Sequence, residues 1–237
     1  MTSGRLEGKV CIITGAGGSV GAATAKVLAA AGAHLVLSDT SEAAVEQAEA
    51  ICRAGGRATF FPADIGDEAE VETLVAKTVA KYGRLDGAFN NPGVEQSATP
   101  LANLSSAQWD RAIRIDLTGV FYCLKHEIRA MLKTGGGSIV NTASALGALA
   151  LPSAAEYAAA KHGVAGLTKA AAAEYGPRGV RVNAVLPGII HTPTVGRLVN
   201  DLREIGQAVA LLLSDAPSFV NGVMIPVDGG YLATKVG

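Results

Sequence analysis

Tyr157 and Lys161 stand four residues apart in the stretch EYAAAK. On a helix that spacing places both side chains on one face, with Cβ atoms about 5–6 Å apart. A free phenol ionises near pH ~10, too high for a base at neutral pH, and an adjacent ammonium favours the phenolate and lowers that value. The two residues are therefore a candidate proton-transfer pair. A Tyr and a Lys at this spacing also occur on many ordinary helix faces, so the weight must come from what surrounds them.

A second candidate is the run TGAGGSVG, Thr14–Gly21. Glycines there permit a tight turn and let the backbone approach a pyrophosphate, which then faces the free N–H groups and positive dipole end of the following helix. The pattern GxGxxG is not met literally, because from Gly15 it would need glycine where Val20 stands. Position gives the run its weight: it follows the first strand and opens the first helix. Asp39 falls at the end of the second strand, where a carboxylate accepts hydrogen bonds from both hydroxyls of an adenosine ribose and repels a 2′-phosphate. Its plainer role is to cap the helix that starts at Glu42. No Arg occurs among Ala16–Val20 and Thr40 follows Asp39, so nothing positive is placed to welcome the extra phosphate. The expected cofactor is NAD(H), not NADP(H).

The elements that must position these groups alternate along the chain. Strand-like runs cover Lys9–Thr14, His34–Ser38, Arg57–Pro62, Leu85–Asn90, Ser138–Thr142 and Val180–Leu186. Helical spacing covers Ser19–Gly32, Glu42–Ala54, Glu68–Tyr82, one long helix Ser105–Thr134 with a capping serine at its start, and Ala154–Tyr175. Strands separated by helices pair in parallel through right-handed crossovers, which predicts an α/β, doubly wound Rossmann fold with helices on both faces of the sheet. No repeat or linker interrupts residues 1–237, so a single domain including the substrate cleft is expected.

Composition narrows the class. Hydrophobic residues make up 49% and charged residues 17%, and the formal net charge of -1 comes without a Lys/Arg cluster, which argues against nucleic acid or an anionic membrane as partner. Cys11, Cys52 and Cys123 have neither disulfide nor zinc-ligand spacing and are expected to be isolated buried thiols, with no metal. The first residues lack the pattern of a signal peptide, and the sequon at Asn103 is expected to be idle; a cytoplasmic location is the expectation.

Taken together, these motifs resemble the short-chain dehydrogenase/reductase family over essentially the whole chain. Thr14, Gly15 and Gly21 match its TGxxx(G/A)xG loop. Ser144 lies thirteen residues before Tyr157, the family spacing for the serine that hydrogen-bonds the substrate oxygen. Asn90-Asn91-Pro92-Gly93 resembles the family's NNAG, Asp64-Ile65 falls where the family contacts adenine, and Pro187-Gly188-Ile189-Ile190-His191-Thr192 matches PGxIxT, in which Ile190 and Thr192 would hold the nicotinamide carboxamide. Asn183 and Asp228-Gly229-Gly230 complete the likeness. The spacing of Tyr157 and Lys161 differs from the family's enoyl reductase branch.

The resemblance implies hydride transfer between NAD(H) and a secondary alcohol or ketone. Ser144, Tyr157 and Lys161 would do the chemistry, with Asp116 at the position of a further catalytic group. Gly15, Ser19, Val20, Gly21, Asp39, Asp64, Ile65, Asn91, Gly93, Tyr157, Lys161, Pro187, Gly188, Ile190 and Thr192 would hold the cofactor. Lys161 would lower the Tyr157 pKa and bind the nicotinamide ribose, and Ser144 would orient the substrate oxygen. A homodimer or homotetramer built on helices 105–134 and 154–175 is the expected assembly.

The chain also departs from the family. Ser19 replaces a Gly or Ala, and Pro92 replaces Ala and removes one N–H. Asp116 stands where the family usually has Asn; the family's Asn holds a water through its main-chain carbonyl, and an Asp either keeps that job or places a carboxylate near Lys161. After Thr192-Pro193 the usual helical lid is shortened or missing. Alternative readings are a ketoacyl-thioester reductase, against which Asp39 argues, and an NAD-binding protein with little turnover. Candidate walls of the substrate cleft, by position only, are Glu95, Gln96, Leu146, Leu149, Glu156, His191 and Thr194.

Overall fold

The computed structural model describes residues 5–188 and 201–234. Seven parallel strands form one sheet: β1 (Val10–Thr14), β2 (His34–Ser38), β3 (Arg57–Phe60), β4 (Gly87–Asn90), β5 (Gly137–Thr142), β6 (Val180–Pro187) and β7 (Met224–Val227). Their order is β3-β2-β1-β4-β5-β6-β7. The chain winds outward from β1 in both directions, so the order reverses between β1 and β4. That reversal opens a crevice beyond the carboxyl ends of the strands, the place where open α/β sheets bind ligands.

The helices are α1 (Ser19–Ala30), α2 (Ala43–Arg53), α3 (Glu68–Tyr82), α4 (Ser106–Ala112), α5 (Gly119–Met131), α6 (Ala155–Tyr175), α7 (Leu202–Leu213) and the short α8 (Tyr231–Thr234). The sheet is covered on both faces, and the period of two in a strand sorts its side chains between two cores. Cys11, Ile13, Leu35 and Leu37 pack in one with residues of α1, α2 and α7. Ile12 and Val36 face the other, with residues of α3, α5 and α6. β1 is buried throughout and β2 from Leu35 onward, which is why they read as continuous apolar runs.

The long helix expected over Ser105–Thr134 is not one α-helix. Ser105 does cap it, in a reciprocal box with Gln108. After Ala112 the backbone widens into a π segment, Ile113–Thr118, in which the Gly119 N–H reaches back five residues to the Arg114 carbonyl. α5 then continues to Met131. Short β7 escaped the sequence pattern; it is an edge strand of four residues containing Pro226, a residue that edges tolerate.

Cys11 and Cys123 are buried as expected, and burial pushes the Cys11 thiol up to about 12. Cys52 corrects the expectation: it lies exposed on the last turn of α2, with its thiol on the Ala58 carbonyl. No helix among the described residues is long and apolar enough to cross a membrane, and no group of His, Cys, Asp or Glu among them has the arrangement of a metal site.

Candidate active site

The Gly-rich run connects β1 to α1 at the crevice. Gly15 has φ +63°, and a Cβ there would collide with the Asn91 carbonyl oxygen. A Cβ on Gly21 would meet the Gly15 carbonyl in the same way, so the loop and the first turn of α1 pack backbone to backbone. Gly18 caps α1 without a side-chain hydrogen bond. The N–H groups of Ser19, Val20 and Gly21 therefore head an α-helix with no intrahelical partner. Val20 offers only that backbone group, because its side chain is in the core. A backbone cradle of glycines in front of free amide donors fits a dinucleotide's pyrophosphate.

Asp39 follows β2 and does not cap α2. Its Oδ2 accepts the Gly17 N–H at 2.9 Å and its Oδ1 accepts the Ser41 N–H at 2.9 Å; it is Ser41 whose hydroxyl accepts the Ala43 N–H. The carboxylate thus borders the glycine loop just beyond the carboxyl end of β2. Asp64 accepts the Gly66 N–H and an Arg114 N–H, the latter at 3.1 Å. Partial burial pushes its carboxyl up, but these donors outweigh that and hold it below the usual range. The Ile65 side chain is buried against Gly119.

Asn91 ties three elements together. Its N–H donates to the Thr14 hydroxyl, its side-chain amide reaches the Gly15 carbonyl, and its Oδ1 accepts the Thr142 hydroxyl at 2.9 Å. Behind it, Asn90 donates to Glu127 and to Asn141, and Asn141 donates to Thr168. Glu127 is wholly buried on α5, which raises its carboxyl to about 7 despite the amide from Asn90. Sequence reasoning missed this residue. Its signal was available: Glu127 shares the apolar stripe of Cys123, Leu124, Ile128 and Met131 on α5.

Tyr157 and Lys161 lie on the first turns of α6, and the Lys161 Nζ is 5.3 Å from the centre of the Tyr157 ring. Lys161 is 1% exposed. Its ammonium donates to the Pro92 and Thr142 carbonyls, each at 3.3 Å, and pairs with Asp116 Oδ1 at 3.3 Å. Pro92, which lacks an N–H, thus serves through its carbonyl. Asp116 is on the π segment and 0% exposed; its Oδ1 also accepts the Val94 N–H. Burial drives the Asp116 carboxyl above its ordinary value, and the attraction of Lys161 only partly offsets that. Of the two options the sequence left for Asp116, the structure has the carboxylate at Lys161.

Ser144 follows β5 and starts the short turn Ala145–Gly147. Its Oγ accepts the Leu146 N–H at 3.1 Å, which leaves its own hydroxyl hydrogen to point elsewhere. That turn is pressed onto α6: a Cβ at Gly147 would lie 3.0 Å from the Lys161 carbonyl oxygen. Pro187 ends β6, and Gly188 packs so tightly on Asp228 that a Cβ there would lie 2.8 Å from the Asp228 Cβ. Ile190, Thr192, His191, Thr194 and the segment where a shortened lid is expected lie outside the described residues.

Glu95, Gln96 and Glu156 line a cavity of about 730 Å³ with Gly93, Val94 and Arg111. Glu156 is 2% exposed and spends Oε1 on the Ser97 N–H, so it anchors this loop to α6. Burial pushes its carboxyl up, but hydrogen bonds from Ser97 and from the first turn of α6 outweigh that and hold it low.

Residues 15–232 match a family model described as enoyl-(acyl carrier protein) reductase. A 2,5-dichloro-2,5-cyclohexadiene-1,4-diol dehydrogenase of Sphingobium indicum is 43% identical over 96% of this chain and 98% of its own. A cis-4-hydroxycyclohexanecarboxylate dehydrogenase of Sinomonas cyclohexanicum is 43% identical over 95% of this chain and 97% of its own. The crystal structure of a levodione reductase superposes with a TM-score of 0.91 at 39% identity, covering 97% of this chain and 99% of that one. The chain belongs to the short-chain dehydrogenase/reductase family.

Proposed function

We propose that the protein is an NAD(H)-dependent oxidoreductase of secondary alcohols and ketones on carbocyclic rings, with Tyr157 as its acid/base group. The observation that carries the reading is the Tyr157–Lys161 pair on one face of α6, ring to ammonium 5.3 Å, with Lys161 on carbonyls at the carboxyl ends of β4 and β5. Ring substrates are supported by the relatives named for cyclohexane and cyclohexadiene alcohols.

In alcohol oxidation the Tyr157 phenolate takes the hydroxyl proton. Lys161 stabilises that phenolate by its charge, and the Ser144 hydroxyl orients the substrate oxygen and donates to it as charge builds there. In reduction the same groups run in reverse. NAD, when bound, supplies the carbon that accepts or returns the hydride. Its pyrophosphate would rest on Gly15, Ser19, Val20 and Gly21, its adenosine on Asp39, Asp64 and Ile65, and its nicotinamide half on Asn91, Gly93, Tyr157, Lys161, Pro187 and Gly188. Self-association fits the apolar groove between α5 and α6, lined by Phe121, Leu124, Ile128, Leu132 and Leu167.

The test is NADH formation from NAD⁺ and a panel of cyclic alcohols, with cyclohexanol as the simplest member. Tyr157→Phe should cut turnover roughly 100- to 10,000-fold, the usual contribution of a positioned acid/base, while NADH still binds. Near-normal turnover in Tyr157→Phe removes the mechanism, and no oxidation of any ring alcohol removes the substrate class.

A further inference from the structure

An ammonium donates three hydrogen bonds and accepts none. Three acceptors already surround Lys161 Nζ: the carbonyls of Pro92 and Thr142 and the carboxylate of Asp116, each at 3.3 Å. A nicotinamide ribose that engages Lys161, as in the functional reading on which this inference rests, must displace one of them. The two carbonyls are poorly placed to yield. Thr142 is paired in register with Val185 within the sheet, and Pro92 follows Asn91, the residue that holds β1, β4 and β5 together.

Asp116 differs from both. Besides Lys161, its Oδ1 has one donor, the Val94 N–H, and its Oδ2 is buried without a hydrogen-bond partner among the described residues. Other charged groups give it little help. Arg111, on the preceding turn, adds a weak attraction; Arg114 is committed to Asp64; Glu156 is committed to the Ser97 N–H; and the Tyr157 phenol carries no positive charge. Without Lys161, Asp116 would be a buried carboxylate with one amide donor. A buried charge that loses its partner is neutralised by taking up a proton.

We propose that Asp116 is a positioning residue that takes up one proton when the nicotinamide ribose engages Lys161, so that cofactor binding and protonation of Asp116 are one event. The balance is simple: the carboxylate and one solvent proton become a carboxylic acid, and Lys161 stays an ammonium that exchanges Asp116 Oδ1 for a ribose oxygen. The new O–H replaces the lost ammonium as the group that neutralises the site. Because burial already raises the Asp116 carboxyl with the lysine beside it, loss of that contact moves it further the same way.

The experiment is calorimetric titration of the whole protein with NADH at one pH in buffers of different ionisation enthalpy, which counts protons bound per cofactor. The wild type should take up as much as one proton, and Asp116→Asn should bind NADH with that uptake lost. An unchanged proton count in Asp116→Asn overturns the proposal, as does NADH binding to the wild type with no proton uptake across the pH range. Infrared difference spectra of the wild type need no variant: NADH must raise a protonated-carboxyl C=O band, and its absence also overturns the proposal. Failure of the wild type to bind NADH at all sinks the functional reading together with this inference, whereas binding without uptake sinks this inference alone.

Discussion

Two ion pairs spring from the same π segment and have opposite characters. Arg114 pairs with Asp64 in the open, where their side chains are 48% and 38% exposed. Two residues on, Asp116 pairs with Lys161 where the side chains are 0% and 1% exposed. Water screens the first pair and replaces either partner readily, so such contacts contribute about 0–1 kcal/mol. In the second, removal of one partner strands a charge in a medium that cannot solvate it. One end of the cleft can therefore tolerate substitution, while the end around Tyr157 is electrostatically brittle.

The sharpest way to break this contrast is Asp116→Ala. It leaves the Lys161 ammonium buried and unbalanced, and should lower unfolding free energy by about 3–5 kcal/mol in a denaturant titration at neutral pH. Glu127, behind the same end of the cleft, tests the brittleness through pH. Its carboxyl titrates at about 7 when folded against 4.5 ordinarily. A raised value means that the folded state holds the proton longer, so the stability tied to it is fully present below 4.5 and is lost as pH rises through about 7. Glu127→Gln should remove that fall, worth on the order of 3 kcal/mol, and become relatively more stable as pH rises; parallel stability curves for the two proteins would refute it.

At the open end the effects should be smaller. Asp39→Ala should weaken NADH about tenfold, the loss of a hydrogen bond to a charged group at ~1.5 kcal/mol, and should narrow its advantage over NADPH. Fluorescence titration with both nucleotides measures this, and equal wild-type affinities would discard the role of Asp39. Arg114→Ala should cost less than about 1 kcal/mol of stability, and a loss comparable to that of Asp116→Ala would erase the contrast.

What could be read from the sequence was whatever local spacing encodes. Tyr157 and Lys161 share a helix, Gly15 and Gly21 share a loop and its helix, and strand–helix alternation dictates a parallel sheet; each pattern spans few residues and was legible. Other pairings between distant segments were not. Asp64 and Arg114 are 50 positions apart, and Asn90 and Glu127, which share a hydrogen bond, are 37 apart, so only the finished packing decides that they meet. The π segment was missed for another reason. IRIDLT has ordinary helix formers, and nothing in its composition distinguishes a wide turn from an α turn. Asp116 was suspected as a carboxylate near Lys161, but the coupling of that contact to complete burial emerged only from the three-dimensional arrangement.

In genetic terms, the wide turn at Ile113–Thr118 amounts to a one-codon insertion carried inside a helix. Each helical residue advances the chain by about 100° around the axis. Deleting a single codon there would let the turn close to α geometry, keeping α4 and α5 in phase but shifting the residues between them by about that angle, enough to swing the aspartate off the lysine. Grafts or recombinants that exchange this stretch with a relative therefore have to conserve its residue count between Ser105 and Gly119 before its residue identities.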